Sequence, residues 1–114
     1  MEDCLFCKIA TGGIPAQIVY EDDQLIAFKD INPVAPVHIL LMPRKHINSL
    51  NEISPGDLEL LGQIQLAAAR IAADLKIDKP GYRVVNNNGY EGGQEVMHLH
   101  YHLLGGREMI WPPG

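Results

Sequence analysis

His98, His100 and His102 stand at alternate positions in the run His98-Leu99-His100-Tyr101-His102-Leu103-Leu104, and they are three of the chain's five histidines. In a β-strand successive side chains point to opposite faces, so alternate residues share one. Near neutral pH an imidazole can move a proton, attack an electrophile or bind a metal. A solvated strand face would account for one such ring, but three in strict alternation point to chemistry. Residues two apart in a strand are about 6.6 Å apart, which separates His98 from His102 by roughly 13 Å. Donor atoms around one zinc ion lie within about 3.5 Å of each other. Neighbouring rings can share a metal and all three cannot, so the row is expected to divide its work.

Two neighbouring features add to this. Gly92-Gly93-Gln94 precedes the row, a flexible turn whose free amides can approach a phosphate, and Glu95 places a carboxyl group beside it. At the other end of the chain Cys4 and Cys7 are the only cysteines. A Cys-x-x-Cys pair in a reducing compartment suggests metal or redox chemistry before a structural disulfide, although two buried thiols are the plain alternative.

The elements that must position these groups can be read from patterning. Leu5 to Ala10 suits a short helix ended by Gly12-Gly13. Ile18-Val19-Tyr20 and Leu25-Ile26-Ala27-Phe28 flank Glu21-Asp22-Asp23-Gln24 as a hairpin. Asp30 to Pro36 must be a loop, His38 to Met42 a third strand closed by Pro43. Ser54-Pro55-Gly56-Asp57 starts a helix with Ser54 as N-cap. Leu58, Leu61, Ile64, Ala68, Ile71, Ala72 and Leu75 recur at threes and fours, one long amphipathic helix ending before Pro80-Gly81. Tyr82 to Asn86 is a fourth strand, Asn87 to Gly93 a loop, and Glu95 to Leu104 a fifth strand. Strands joined by short turns, with one long helix between the third and fourth, predict an α+β fold around a largely antiparallel sheet.

The chain has 114 residues, 46 % hydrophobic and 20 % charged, which suits one compact domain over 1-114. A net charge of −5 disfavours broad binding to nucleic acid polymers or anionic membranes, so any phosphate would be held locally. No apolar run approaches the roughly 20 residues that span a bilayer, and Met1-Glu2-Asp3-Cys4 lacks the features of a signal peptide, so a cytoplasmic location is expected.

Gly92-Gly93-Gln94-Glu95-Val96-Met97-His98-Leu99-His100-Tyr101-His102-Leu103-Leu104 resembles the signature of the histidine triad (HIT) hydrolases. Gly105-Gly106-Arg107, the ending Trp111-Pro112-Pro113-Gly114, and the upstream segments Ile14-Pro15-Ala16, Tyr20-Glu21-Asp22-Asp23, Ala27-Phe28-Lys29-Asp30-Ile31, Pro36-Val37-His38 and Pro43-Arg44-Lys45-His46-Ile47 are similar to the histidine triad nucleotide-binding (Hint) branch. The likeness covers nearly the whole chain. It implies a HIT-like fold, a five-stranded sheet with one long and one short helix, and a homodimer joining two sheets into ten continuous strands with Trp111 near the partner's site.

The activity that the resemblance implies is hydrolysis of purine nucleoside 5′-phosphoramidates, such as an adenosine phosphoramidate or an aminoacyl or lysyl adenylate, through a covalent nucleotidyl-histidine. A dinucleoside polyphosphate hydrolase and a nucleotide-binding regulatory module with little catalysis are the alternatives. His100 would be the nucleophile, His102 would stabilise charge on the phosphate, and Glu95 would donate the leaving-group proton. Some members carry serine at the position of Glu95. Asp30 would bind the ribose hydroxyls, Ile31 the base, and Asn87, Gly93 and Gln94 the phosphate region, with His38 and Val96 also in the substrate site. Asp30 also reads as a turn residue, and Asn87 as a left-handed loop residue. Members with the cysteine pair hold a structural zinc ion, here implied on Cys4, Cys7, His46 and His98, two thiolates and two imidazoles that leave no open position for water. No organic cofactor is implied.

Overall fold

The computed structural model describes residues 3–114; Met1 and Glu2, part of the N-terminal stretch read above for a leader, lie outside the described residues. In chain order the elements are α1 (Leu5–Ala10), β1 (Ile18–Glu21), β2 (Leu25–Lys29), β3 (Val37–Pro43), α2 (Leu58–Asp74), β4 (Tyr82–Val85) and β5 (Tyr101–Gly105). The strands form one antiparallel sheet in the order β1-β2-β3-β5-β4, so β5, last in sequence, lies between β3 and β4. The α+β reading and the five-stranded sheet hold.

β2 and β3 are buried almost throughout, without the alternation of a half-solvated strand, because both faces of the sheet are covered. On one face Leu25, Ala27, Ile39, Leu41 and Leu103 pack under α2 through Leu60, Ile64, Ala68 and Ile71. On the other, Ile26, Phe28, Leu40 and Met42 pack against Phe6 and Ile9 of α1. The register pairs Phe28 with Leu40 and Leu40 with His102, which sets His102 on the α1 face.

Two element starts differ from expectation. The fifth strand begins at Tyr101, not Glu95, so His98 and His100 precede the ladder. Carried two residues further, the β3–β5 register would pair Leu99 with Pro43, which has no N–H to donate. The Pro43 carbonyl instead accepts from the His98 ring at 2.7 Å, and the His100 carbonyl accepts from Asn86 Nδ2 at 2.8 Å. Side chains thus take the bonds a ladder would need. Ser54 caps a 3-10 turn, Pro55–Asp57, and α2 follows from Leu58. Asp57 closes that turn by accepting from the Ser54 N–H at 3.0 Å and from Lys45 Nζ at 2.8 Å.

The apolar stripe of α2 also differs. Leu58 is 75 % exposed and Leu75 37 %, whereas Leu60 and Ala67 are buried. Leucines at 58, 60 and 61 allow two stripes of the same period, and only packing chooses between them. After α2, Lys76 takes a left-handed φ of 60° and the Ile77 N–H reaches back to the Ala72 carbonyl at 3.0 Å. That turn brings Ile77 into the core in place of Leu75.

The two leucines give a direct check. Leu60→Ala should cost about 2–4 kcal/mol in urea denaturation and Leu58→Ala under about 0.5 kcal/mol; comparable losses would contradict the packing of α2.

Candidate functional site

The α1 face of the sheet is incompletely covered, and what remains open is a cavity of about 580 Å³. Its apolar wall is Phe6 and Ile9 from α1 with Phe28 and Leu40 from the sheet. Asp30, Ile31 and His38 reach it from the β2–β3 side, and Asn87, Gly93, Glu95 and Val96 from the loop before β5. His100 and His102 complete it. Every residue expected at the substrate site lines this cavity except Gln94. The Gln94 side chain is committed within the loop, donating to the Asn48 and Val96 carbonyls at 2.7 and 3.0 Å and accepting from the Gly89 N–H at 3.0 Å. It shapes the loop from behind.

That loop is tight. A Cβ on Gly92 would sit 2.4 Å from the Asn88 carbonyl oxygen, and Gly93 has a φ of +82°, so both positions need glycine. Asn87 is not left-handed, since Lys76 is the single non-glycine residue with positive φ among the described residues. Asp30 serves both of its expected purposes: Oδ1 accepts from the Asn32 N–H at 2.8 Å as a turn residue, and the carboxylate lines the cavity.

Hydrogen-bond partners assign the histidine tautomers. His100 Nδ1 is 2.7 Å from the His98 carbonyl, which can only accept, so Nδ1 carries the proton and Nε2 keeps its lone pair. The Val34 N–H donates to His38 Nδ1 at 3.1 Å, so the proton of His38 is on Nε2. His38 Nε2–H then donates to His102 Nδ1 at 2.9 Å, which leaves His102 with its proton on Nε2. Asp30 Oδ2 is a second, longer partner of His38 at 3.4 Å. Asp30, His38 and His102 lie close enough to hold a cation, but the chain of donors uses the lone pairs a cation would need. The arrangement is a relay of neutral rings. The rings of His100 and His102 are 5.2 Å apart, and Phe6 packs edge-on against His100 at 4.9 Å.

Burial lowers the His38 and His100 pKa values against the pull of Asp30. Burial, then the neighbouring His100 and His38 rings, hold His102 down to about 4. All three rings are therefore neutral at pH 7, as the tautomer chain requires.

His98 belongs to a second cluster. It is fully buried, and its Nδ1 is 3.5 Å from both Cys4 Sγ and Cys7 Sγ. His46 Nδ1 is 3.3 Å from Cys7 Sγ, and all four ligand atoms lie within 4.8 Å of one another. A tetrahedral zinc ion with ordinary Zn–S and Zn–N bonds separates sulfur from nitrogen by about 3.5 Å. The spacing fits. So do the tautomers, because His98 donates Nε2–H to the Pro43 carbonyl and His46 donates Nε2–H to Asn48 Oδ1 at 2.6 Å, freeing both Nδ1 lone pairs. Cys4, Cys7, His46 and His98 can hold a metal ion.

Sequence reasoning missed Phe6, Ile9, Phe28 and Leu40 as cavity residues. The spacing of Phe6 and Ile9 on one side of a short helix was the available signal, but it does not say what that side covers.

The HIT domain model matches residues 11–109, and the chain belongs to that family. It is 55 % identical over 113 residues to an uncharacterized HIT-like protein of Synechocystis sp., covering 99 % of this chain and 98 % of the relative. A HIT family hydrolase from Legionella pneumophila has a crystal structure with a TM-score of 0.97 and 52 % identity, covering 98 % of this chain and all of that one. A zinc-bound histidine triad family protein from Mycobacterium smegmatis superposes with a TM-score of 0.78 at 30 % identity, covering 93 % of this chain and 76 % of its own. Among the described residues no helix is long and apolar enough to cross a membrane.

The depressed pKa of His102 has a measurable consequence. An unfolded histidine titrates near 6.5, so below that pH the unfolded chain binds a proton that the folded ring, facing His38, His100 and Asp30, refuses. Stability is then full above about pH 6.5 and falls as pH drops toward 4. The melting temperature should decline through this window, and His102→Gln should decline less steeply; parallel curves would mean that His102 titrates as it does unfolded.

Proposed function

We propose that this protein is a nucleotide-binding hydrolase of the Hint branch that cleaves purine nucleoside 5′-phosphoramidates at the P–N bond. The observation that carries this reading is the His98 carbonyl holding the proton of His100 on Nδ1, which leaves Nε2 as an unprotonated nucleophile in a cavity of nucleotide size. In the first step His100 Nε2 attacks the α-phosphorus, the P–N bond breaks, and the amine leaves with a proton. Glu95, on the cavity wall, is the carboxyl group assigned to supply it. His102, its proton on Nε2 through the relay from His38, donates to a phosphoryl oxygen and offsets charge that develops there. Water then attacks the phosphorus, the P–Nε2 bond breaks and returns its electron pair to His100, and the water proton goes to the Glu95 carboxylate as the nucleoside monophosphate is released. Asp30 takes the ribose hydroxyls through the oxygen its turn leaves free, while Ile31 and the Phe6–Phe28 wall take the base. Asn87, Gly93 and Val96 border the phosphate.

In this reading zinc occupies Cys4, Cys7, His46 and His98 as a structural ion, and the zinc-bound relative from Mycobacterium smegmatis supports the choice of metal. The chain further reads as a homodimer joined at the β4 edge, beside which Ile110 and Trp111 stand 74 % and 81 % exposed.

His100→Ala should lower turnover of an adenosine phosphoramidate by at least about a thousandfold while AMP still binds. Basal hydrolysis that survives the substitution, or is absent from the parent protein, would mean a binding module. Faster turnover of a diadenosine polyphosphate than of the phosphoramidate would favour the polyphosphate hydrolase. Glu95→Gln should slow substrates with poor leaving groups far more than those with good ones; equal losses would remove it as the acid. Protein purified without chelator should contain stoichiometric zinc that Cys4→Ser loses, and unchanged zinc content would exclude the thiolate ligands.

A further inference from the structure

The metal-ligand cluster and the cavity share α1. This helix has six residues, well short of the roughly 12–15 that an isolated helix needs, so its position is imposed by its contacts. At its C-terminal end the Ala10 carbonyl accepts from Arg44 Nη1 at 2.9 Å. At its N-terminal end Cys4, the cap, and Cys7 reach His46 and His98. Between these anchors Leu5, Phe6 and Ile9 face the cavity.

The catalytic segment is held differently. The Leu99 N–H donates to the Ile47 carbonyl at 2.6 Å, the His98 ring to Pro43 and Asn86 to the His100 carbonyl, none of which involves a sulfur atom. Loss of the two sulfurs from the cluster therefore removes the N-terminal anchor of α1, leaving its Arg44 bond and the packing of Phe6 and Ile9, and leaves the backbone bonds of the His100 segment in place. Cys4 and Cys7 are half-buried, their sulfurs lie within 4.8 Å of each other, and the Cys7 N–H already donates to Cys4 Sγ at 3.3 Å. Two sulfurs this close, three residues apart at the start of one helix, are within reach of a disulfide.

We propose that Cys4 and Cys7 form an oxidation-sensitive latch on the nucleotide cavity: hydrogen peroxide joins them as a disulfide, the metal is released, and nucleotide binding weakens because α1 has lost the anchor at its N-terminal end. One thiolate attacks a peroxide oxygen, the O–O bond breaks, and the departing hydroxide takes a proton to become water. The second thiolate attacks the resulting sulfenic sulfur, the S–O bond breaks, and a second hydroxide leaves and is protonated. Both sulfurs are oxidised, both peroxide oxygens are reduced, and the cation departs because two of its four ligands are gone.

The latch rests on the zinc and nucleotide readings above, so both are checked first on untreated protein. Without bound zinc, or without AMP binding, the parent reading fails and the latch fails with it. With both in place, the zinc-loaded full chain is treated with hydrogen peroxide. Intact mass should fall by about 2 Da as zinc appears on a chromogenic indicator in step with the disulfide. The AMP dissociation constant should rise about tenfold as the preorganised wall is lost, with kcat changed less than about threefold, and dithiothreitol with zinc should restore binding. Hydrogen exchange should increase over residues 5–10 and stay unchanged over 98–102. Disulfide formation and zinc loss with unaltered AMP affinity would overturn the coupling, as would a fall in kcat without a change in affinity. Oxygen addition in place of the disulfide would overturn the chemistry.

Discussion

His98 is completely buried, and each of its side-chain and carbonyl groups is committed to a different part of the molecule. Ring Nε2–H ties it to the end of β3, ring Nδ1 faces the two sulfurs, and the main-chain carbonyl orients the ring of His100. A neutral imidazole buried without partners would be costly, so these bonds hold one rotamer and one tautomer. The same residue that presents a lone pair to a metal thereby determines which nitrogen of its neighbour is free.

The sheet explains why this arrangement can be rigid in so short a chain. Its central strands are covered on both faces, by α2 on one and by α1 and the cavity wall on the other. His38 and His102 therefore stand on a strand pair whose backbone is fixed from both sides, and His100 follows directly before it. His38 and His102 come from adjoining strands on the same face, which brings their nitrogens to 2.9 Å although 64 residues separate them. Proximity of that kind is a property of strand order, since β5 is inserted between β3 and β4.

Much of this was legible in the chain. The α1 boundaries, the hairpin, the helix between the third and fourth strands and the set Cys4, Cys7, His46 and His98 agree with the expectations from patterning and family resemblance. The less legible parts share a cause. Leu58 and Leu60 both fit an apolar helical period, Gln94 and Asn87 both fit a phosphate loop, and alternation continues through His98 whether or not a ladder does. Local pattern states what a residue is able to do, and several residues in each case are able to do it.

By itself, the sequence determined the inventory: three rings at alternate positions, two thiols at a spacing suited to a metal, a glycine turn for close approach, and apolar periods sufficient for an α+β sheet. Tertiary structure decided the partners. Pro43 ends the β3–β5 ladder and turns its carbonyl to His98, Val34 and His38 set the tautomer of His102, and α1 joins the metal-ligand cluster to the cavity. These choices depend on which donor meets which acceptor across dozens of residues. Hydrogen bonds are short-ranged and directional, so only the folded chain could make them.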